Sequence, residues 1–359
     1  MVKNMNGLSL SFIIHPGETL KEVLEENNMS QEELAIRTGY SAKHVSEVIN
    51  GKKGISSEFA KKLEYVFSMP MSFWLNLQGI YDKEVLEYKE KENIEEEEIQ
   101  IVKKSKSIIK LAIENKLIEK TNNVIDEVIS LRNLCGINSL ANIKYLPVTQ
   151  AAFRVSKSID IEILYLWIRI NEVLAKKISV DKDYNVEVLK QNINKIKETM
   201  FLDINDAIKE LTKIFKECGI CFRVSKTTKG APVQGFIKKF NNKVILIMTI
   251  RGAFADIFWF TLFHEIGHLI NGDCGTELID FDFSNSSKEK VADDFAKNVL
   301  INEAEFIEFL NNKKYTEETI NKLAKNNKVL PCIVIGRLEK ELNNYKLLAN
   351  KRARYKWDL

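Results

Sequence analysis

Along most of the chain, apolar residues recur every three or four positions, and the register breaks where Gly, Pro or Ser intervene. From Pro16 to about Tyr81 this predicts five short helices, in "HPGETLKEVLEENN", "MSQEELAIRTG", "SAKHVSEVINGK", "SSEFAKKLEYVF" and "PMSFWLNLQGIYD". The charge-dense run "DKEVLEYKEKENIEEEE" (82–98) holds no Gly or Pro and reads as a solvated helix rather than a linker. Residues 99 to about 217 keep a helical period, interrupted near Gly136, Pro147 and "SVDKDYN" (179–185). The texture then changes. "GICFRVSK" and "VQGFIKKFNNKVILIMTI" read as strands, with Asn241-Asn242 as a hairpin turn. After Arg251-Gly252 the helical period returns through "ADIFWFTLFHEIGHLIN". The expected fold class is mainly α, with an α+β C-terminal domain built on a small antiparallel or mixed sheet.

That last helix carries chemistry. His264 and His268 lie four residues apart and share a helix face, so both imidazoles can present a nitrogen to one metal ion. Glu265, one step round, is placed to act on an attacking water without ligating the metal. Gly267 keeps the helix surface thin, and Phe258, Trp259, Phe260, Leu262 and Phe263 make the surroundings apolar, which strengthens local fields. A third ligand has to come from further on. Asp273, Glu277, Asp280, Asp282 and Glu289 are candidates. Glu289 is favoured because "EKVADDFAKNVL" reads as a helix with Val291, Phe295 and Val299 available for burial. On that helix Asp293, one turn later, can accept the free N–H of a ligand histidine. Zn2+ is the expected ion, and such a ligand set also accommodates Mn2+ or Fe2+. A peptide substrate could add as a strand beside "KVILIMT" (243–249) or a neighbour in its sheet, and Arg251 or a tyrosine is a candidate for oxyanion support.

The N-terminal helices carry a second pattern. In "MSQEELAIRTGYSAKHVSEVINGKKGIS", Ser30 and Glu33 form a capping-box signature, Gly39 supplies a tight turn and Ser41 can cap the next helix. Ala42, Val45, Val48 and Ile49 are expected to face the core. Lys43, His44, Ser46, Glu47 and Asn50 then project outward, where they can meet base edges, and Gln31 is placed to touch a phosphate. Residues 15–82 hold seven Lys/Arg against ten Asp/Glu, yet within 43–62 five lysines, Lys52 and Lys53 among them, outnumber Glu47 and Glu58. Such a one-sided basic face suits a phosphate backbone.

Bulk composition changes this picture little. The 359 residues are 45% hydrophobic and 29% charged with a formal charge of +3, which is ordinary for a globular protein and too small by itself to argue for nucleic acid or membrane. Five cysteines, at 135, 218, 221, 274 and 332, are an odd number, and "LSLSFII" near the start lacks the marks of a signal peptide; a reducing cytoplasm is expected. The pair Cys218 and Cys221 reads as buried rather than redox-active, a capping role for Cys274 at the metal carries little weight, and the basic run "KLLANKRARYKW" reads as a solvated helix end, with an auxiliary DNA contact as the sharper option.

Two family resemblances follow from these residues. "ILIMTIRGAFADIFWFTLFHEIGHLI" with "EKVADDFAKNVLI" resembles the ImmA/IrrE family of zinc metallopeptidases, although "VLINEAE" lacks the Met-Pro pair that often closes the second helix there. The resemblance implies His264, His268 and Glu289 as zinc ligands, Glu265 as general base, and a helix-turn-helix repressor as substrate. The stretch from His15 to Asp82 resembles HigA-type antitoxins of the Xre-like class, which implies dimeric binding to double-stranded operator DNA and often a toxin partner. Residues 151–177 and 330–357 resemble proteins that join the two modules.

The expected organisation is an arm at 1–14, a five-helix helix-turn-helix domain at 15–82, a helical connector at 83–205, a zincin-like metallopeptidase domain at 206–310 and a helical extension at 311–359. The expected function is a DNA-binding regulator, a homodimer without membrane association, whose peptidase cleaves a repressor, an antitoxin or itself. The alternative is a non-catalytic HigA-like antitoxin and autorepressor whose zinc domain senses or scaffolds, with a cognate toxin as partner.

Overall fold

A computed structural model describes residues 12–146, 159–226, 228–250, 253–272, 277–281, 287–345, 348 and 351–356. The chain divides into two compact units, residues 1–99 with 123–125, and residues 100–122 with 126–359.

In the first unit, helices α1 (Pro16–Glu26), α2 (Gln31–Thr38), α3 (Ala42–Ile49), α4 (Ser57–Phe67) and α5 (Met71–Glu92) enclose a core of Leu20, Leu34, Val45, Val48, Phe59, Leu63 and Trp74. Local chemistry sets the helix starts. The Ser30, Ser41 and Ser56 hydroxyls accept from the amides of Glu33, His44 and Phe59. His15 is buried and caps α1, its Nδ1 accepting from the Gly17 amide at 2.9 Å. The charge-dense run is helical, as expected: α5 continues through it to Glu92, and α6 (Glu96–Lys104) follows.

The second unit is α+β. Beyond α7 (Lys106–Glu114) and α8 (Val124–Cys135), α9 (Ile161–Lys176) is buried on most sides. Then α10 (Val186–Gln191), α11 (Ile193–Glu198) and α12 (Ile204–Glu217) lead to the strands β1 (Ile220–Lys226), β2 (Val233–Phe240) and β3 (Lys243–Ile250). After them come α13 (Ala255–Asn271), β4 (Glu277–Phe281), α14 (Ser287–Leu300), α15 (Glu303–Asn312), α16 (Glu317–Asn326) and α17 (Pro331–Glu341).

The four strands form a mixed sheet in the order β1-β3-β2-β4, with β1 parallel to β3 and the other pairs antiparallel. The expected hairpin joins β2 to β3, with Asn241 at φ 50° in its turn. One sheet face, including Phe222, Val224, Ile237, Leu246 and Met248, shares a core with Phe258, Trp259, Leu262 and Phe263 of α13 and with Leu338 of α17. The register corrects one expectation. β3 is paired on both sides, so "KVILIMT" has no free edge for a peptide; the sheet's outer strands are β1 and β4.

Candidate metal centre and DNA-binding module

Helix α13 is anchored in the core by aromatic and aliphatic side chains that cover most of its surface. The rings of His264 and His268 meet edge to face with centroids 4.7 Å apart. Across from them, the first turn of α14 brings up Glu289. Its Oε2 lies 3.0 Å from His264 Nε2 and 3.3 Å from His268 Nε2, and the two nitrogens are 3.0 Å apart. These donor atoms all fall within 4.8 Å of one another. Two imidazole nitrogens and one carboxylate oxygen are the donor set of an open catalytic zinc site, and the geometry suits manganese or iron as well.

Asp293, one turn beyond Glu289, accepts from His264 Nδ1 at 2.8 Å. That bond fixes the tautomer with Nε2 turned to the shared centre. Burial pushes the Glu289 carboxyl up, but the neighbouring His264 and His268 imidazoles outweigh it and hold the group at about 2. The Asp293 carboxyl is opposed by burial in the same way and is held low by the His264 hydrogen bond and by Lys340, whose Nζ stands 3.6 Å from Oδ2.

Gly267 explains how α13 and α14 come so close. A Cβ there would stand 3.1 Å from Ala292 Cα. This packing also corrects the expected face of α14 at one residue: Ala292, Ala296 and Leu300 are buried, Phe295 and Val299 pack at the margin, and Val291 is 52% exposed. Gly267 gives room both to the Ala292 backbone and to the Phe295 ring, whose Cδ1 would stand 3.2 Å from such a Cβ.

Glu265 is fully buried beside this cluster. Its carboxylate faces β2, where a Cβ at Gly235 would lie 1.6 Å from Oε1. Sequence reasoning missed Gly235. Its one signal is an isolated glycine inside a strand pattern, which marks close backbone approach. Of the other candidates, Arg251, Asp273, Cys274 and Asp282 lie outside the described residues, and of Glu277 and Asp280 only the backbone, in β4, is described. Cys218 and Cys221 are buried, with the Cys218 thiol pushed up by burial to about 11 and its Sγ donating to the Ile214 carbonyl. That chemistry opposes thiolate formation. The basic C-terminal run is not a solvated helix end: Arg352 turns inward to Asp256, and Tyr355 meets Trp259.

In the first unit, Gly39 takes a left-handed φ of 75° between α2 and α3, a conformation that costs other residues more. Ser41 serves as the cap of α3, and Lys43, Asn50, Lys52 and Lys53 are exposed. Gln31, Ser46 and Glu47 are half-buried. Three expectations need correction. Ala42 is exposed rather than in the core. The capping box is one-sided, because the Glu33 carboxylate pairs with Arg37 at 2.6 Å. His44 does not project freely: its ring stacks on Tyr40 at 4.5 Å and meets Phe59 edge-on at 5.2 Å, and burial, with Lys53 nearby, lowers its pKa. Glu47 pairs with Lys53 at 2.7 Å and lies 4.0 Å from Lys43, and Asn50 Nδ2 folds back onto the Ser46 carbonyl.

Two family models match the chain, one in each of these regions. A helix-turn-helix family model matches residues 20–74, and one described as IrrE N-terminal-like domain matches residues 256–339. Virulence-associated protein A' of Dichelobacter nodosus is 39% identical over 69 residues, which is 19% of this chain and 60% of that protein. Virulence-associated protein I of the same organism is 33% identical over 75 residues, 21% of this chain and 69% of that protein. Among solved structures, the Pseudomonas aeruginosa antitoxin HigA with higBA promoter is similar at 33% identity, covering 23% of this chain and 96% of that one, with a TM-score of 0.21. The chain belongs to the helix-turn-helix family through its N-terminal module, a DNA-binding regulator domain of the Xre-like class. It joins to that module an IrrE-like domain of the peptidase class. No helix among the described residues is long and apolar enough to cross a membrane.

Proposed function

We propose that this chain is a cytoplasmic, dimeric DNA-binding regulator whose C-terminal domain is a zinc-dependent peptidase acting on a repressor or antitoxin protein. One observation carries the catalytic half: three donor atoms from two helices, separated in sequence by up to 25 residues, converge within 4.8 Å beside a buried glutamate that is not among them. A purely structural metal site has no use for that glutamate.

His264, His268 and Glu289 would hold the ion, and Asp293 orients the first of them. Zinc, when bound, supplies a Lewis acid that lowers the pKa of water towards 7. Glu265 takes the proton of the attacking water and delivers it to the leaving amine. The apolar packing around α13 excludes bulk water from that exchange. In the first unit, α3 lies along the major groove with Ser41, Lys43, Ser46, Glu47 and Asn50 towards base edges and His44 supporting them from behind. Lys52, Lys53 and Gln31 meet phosphates.

The burial of Glu265 and His268, both 0% exposed, favours a second reading, in which the domain is a zinc scaffold of an antitoxin-like repressor with a toxin partner and no turnover. Metal content and intact mass decide between them. Wild type and Glu265→Gln are expected to hold about one zinc per chain and His264→Ala little; after incubation with candidate repressors, cleavage is expected from wild type alone. Zinc without cleavage by any form selects the scaffold, and absence of zinc from wild type refutes both.

A further inference from the structure

The metal-domain match ends at residue 339, yet the chain beyond it returns to the start of the motif helix. The Tyr355 amide donates to the Ala253 carbonyl at 2.8 Å, and the Ala255 amide donates to the Ala353 carbonyl at 3.0 Å, which bridges Phe254 to Arg354 in antiparallel fashion. Side chains reinforce this backbone pairing. Trp259 Nε1 donates to the Tyr355 hydroxyl at 2.6 Å, and the guanidinium groups of Arg352 and Arg354 both lie over the Phe254 ring.

Arg352 is the centre of the contact. Its Nη2 and Nε reach the two carboxylate oxygens of Asp256 at 2.5 and 3.3 Å, and its Nη1 lies 3.8 Å from Glu339 Oε2. Asp256, in the first turn of α13, is 7% exposed and Glu339, on α17, is 1% exposed. Two carboxylates removed from water are tolerable only with a cation between them. One guanidinium therefore ties the start of the motif helix to α17. The next residue on α17, Lys340, sits 4.8 Å over the Phe260 ring and 3.6 Å from Asp293 Oδ2, and Asp293 holds His264. Through the adjacent residues Glu339 and Lys340, a path of contacts runs from the C-terminal segment to Nδ1 of His264, the ring whose Nε2 faces the proposed metal.

We infer that residues 351–356 form a strap that is a working part of the metal domain, with Arg352 as a positioning residue that sets α13 against α17 and thereby holds Asp293 on His264. The strap lies outside the matched region, residues 256–339. The inference rests on the metal-centre reading, and the test separates the two.

The full-length chain, loaded with zinc, is compared with Arg352→Met and with Lys322→Met, an exposed position on α16, as the control. Two quantities are read: backbone hydrogen exchange across residues 255–260, and the rate at which a chelator removes zinc. Arg352→Met is expected to accelerate both, the zinc release by about tenfold, while Lys322→Met matches wild type. Wild-type values for Arg352→Met overturn the inference. So does faster exchange with unchanged zinc release, since the strap would then brace the helix without reaching His264. If Arg352→Met fails to fold by circular dichroism, Tyr355→Phe takes its place. That change removes only the oxygen that accepts from Trp259: acceleration supports the strap, and no change overturns it. A wild type that never takes up zinc refutes the metal-centre reading instead.

Discussion

Gly235 on β2 faces Glu265 on α13 so closely that a Cβ on the glycine would stand 1.6 Å from Oε1 of the carboxylate. The glycine is the floor on which the proposed general base rests. Gly235→Ala cannot be absorbed by a small shift, since both the strand interior and the helix are buried. Either β2 moves away or Glu265 swings off its position. The three proposed metal donors, on α13 and α14, are not among the atoms that a Cβ at Gly235 would meet. The expected result is zinc content equal to wild type, a stability loss of about 1–3 kcal/mol, and cleavage reduced at least about 100-fold. Elemental analysis, thermal melting and a cleavage assay on the same preparation check it. Parallel loss of zinc would show that the glycine supports the ligands and not the base.

Asp293→Asn tests the other side of the site. The carboxylate receives the His264 Nδ1 proton, and an amide that presents its NH2 there would favour the wrong tautomer. Zinc affinity is expected to fall about 10- to 100-fold with little change in melting of the metal-free protein. Competition with a chromogenic chelator measures the first, and calorimetry the second. An unchanged dissociation constant would remove Asp293 from the site.

How much of this was legible in the sequence depends on distance along the chain. The shared helix face of His264 and His268, the serine caps of α2 and α3, and the turn at Gly39 are encoded within five residues, and the structure has all of them. The pairing of Glu289 with both histidines crosses a longer gap and was still readable, because a helical Glu-x-x-x-Asp pattern constrains both side chains to one face. What failed was non-local. Strand order cannot be read from alternation alone, so the central position of β3 was hidden. On α14 the expectation fails at Val291 alone, because the close approach at Gly267 is made by Ala292 and Phe295 and leaves Val291 outside the contact. His44 was read as outward from helix periodicity, and neighbours on other elements, above all Phe59, turn it in. The C-terminal run was read from its charge, and its arginine has two buried acids to meet.

Glu172 on α9 gives a pH dependence whose sign is fixed. Its side chain is 4% exposed and accepts from Lys176 at 2.8 Å and Arg169 at 3.1 Å, with Lys238 of β2 at 3.2 Å. Burial raises its pKa, and these cations outweigh burial and leave it below the ordinary value of 4.5. A depressed folded pKa adds stability that is fully present above the unfolded value and is lost as pH falls through the folded value. Glu172→Gln is therefore expected to be less stable than wild type by about 2 kcal/mol near neutrality, with the gap closing as pH falls below 4.5. Urea melts at pH 7, 5 and 4 measure it. A gap that widens in acid would contradict the charge assignment.

The charge balance of the DNA-binding module is set in part by one carboxylate on α3, that of Glu47. Lys53 and Lys43 stand on the exposed face beside Glu47, which pairs with the first at 2.7 Å and lies 4.0 Å from the second. A lysine already neutralised by a carboxylate releases fewer counterions when it meets a phosphate, so Glu47 restrains the electrostatic part of binding. Glu47→Gln removes that restraint without shortening the side chain or leaving α3 uncapped, since Ser41 holds its start. Affinity for random-sequence duplex is expected to rise several-fold at low salt, and the slope of log K against log salt is expected to steepen by up to about one unit. Lys43→Ala is expected to do the reverse on every sequence, weakening binding uniformly with a shallower slope. Fluorescence anisotropy across a salt series reads both variants. If Glu47→Gln instead weakens binding to one operator and leaves random duplex unchanged, Glu47 reads a base edge, and the basic face owes its strength to Lys52 and its neighbours alone.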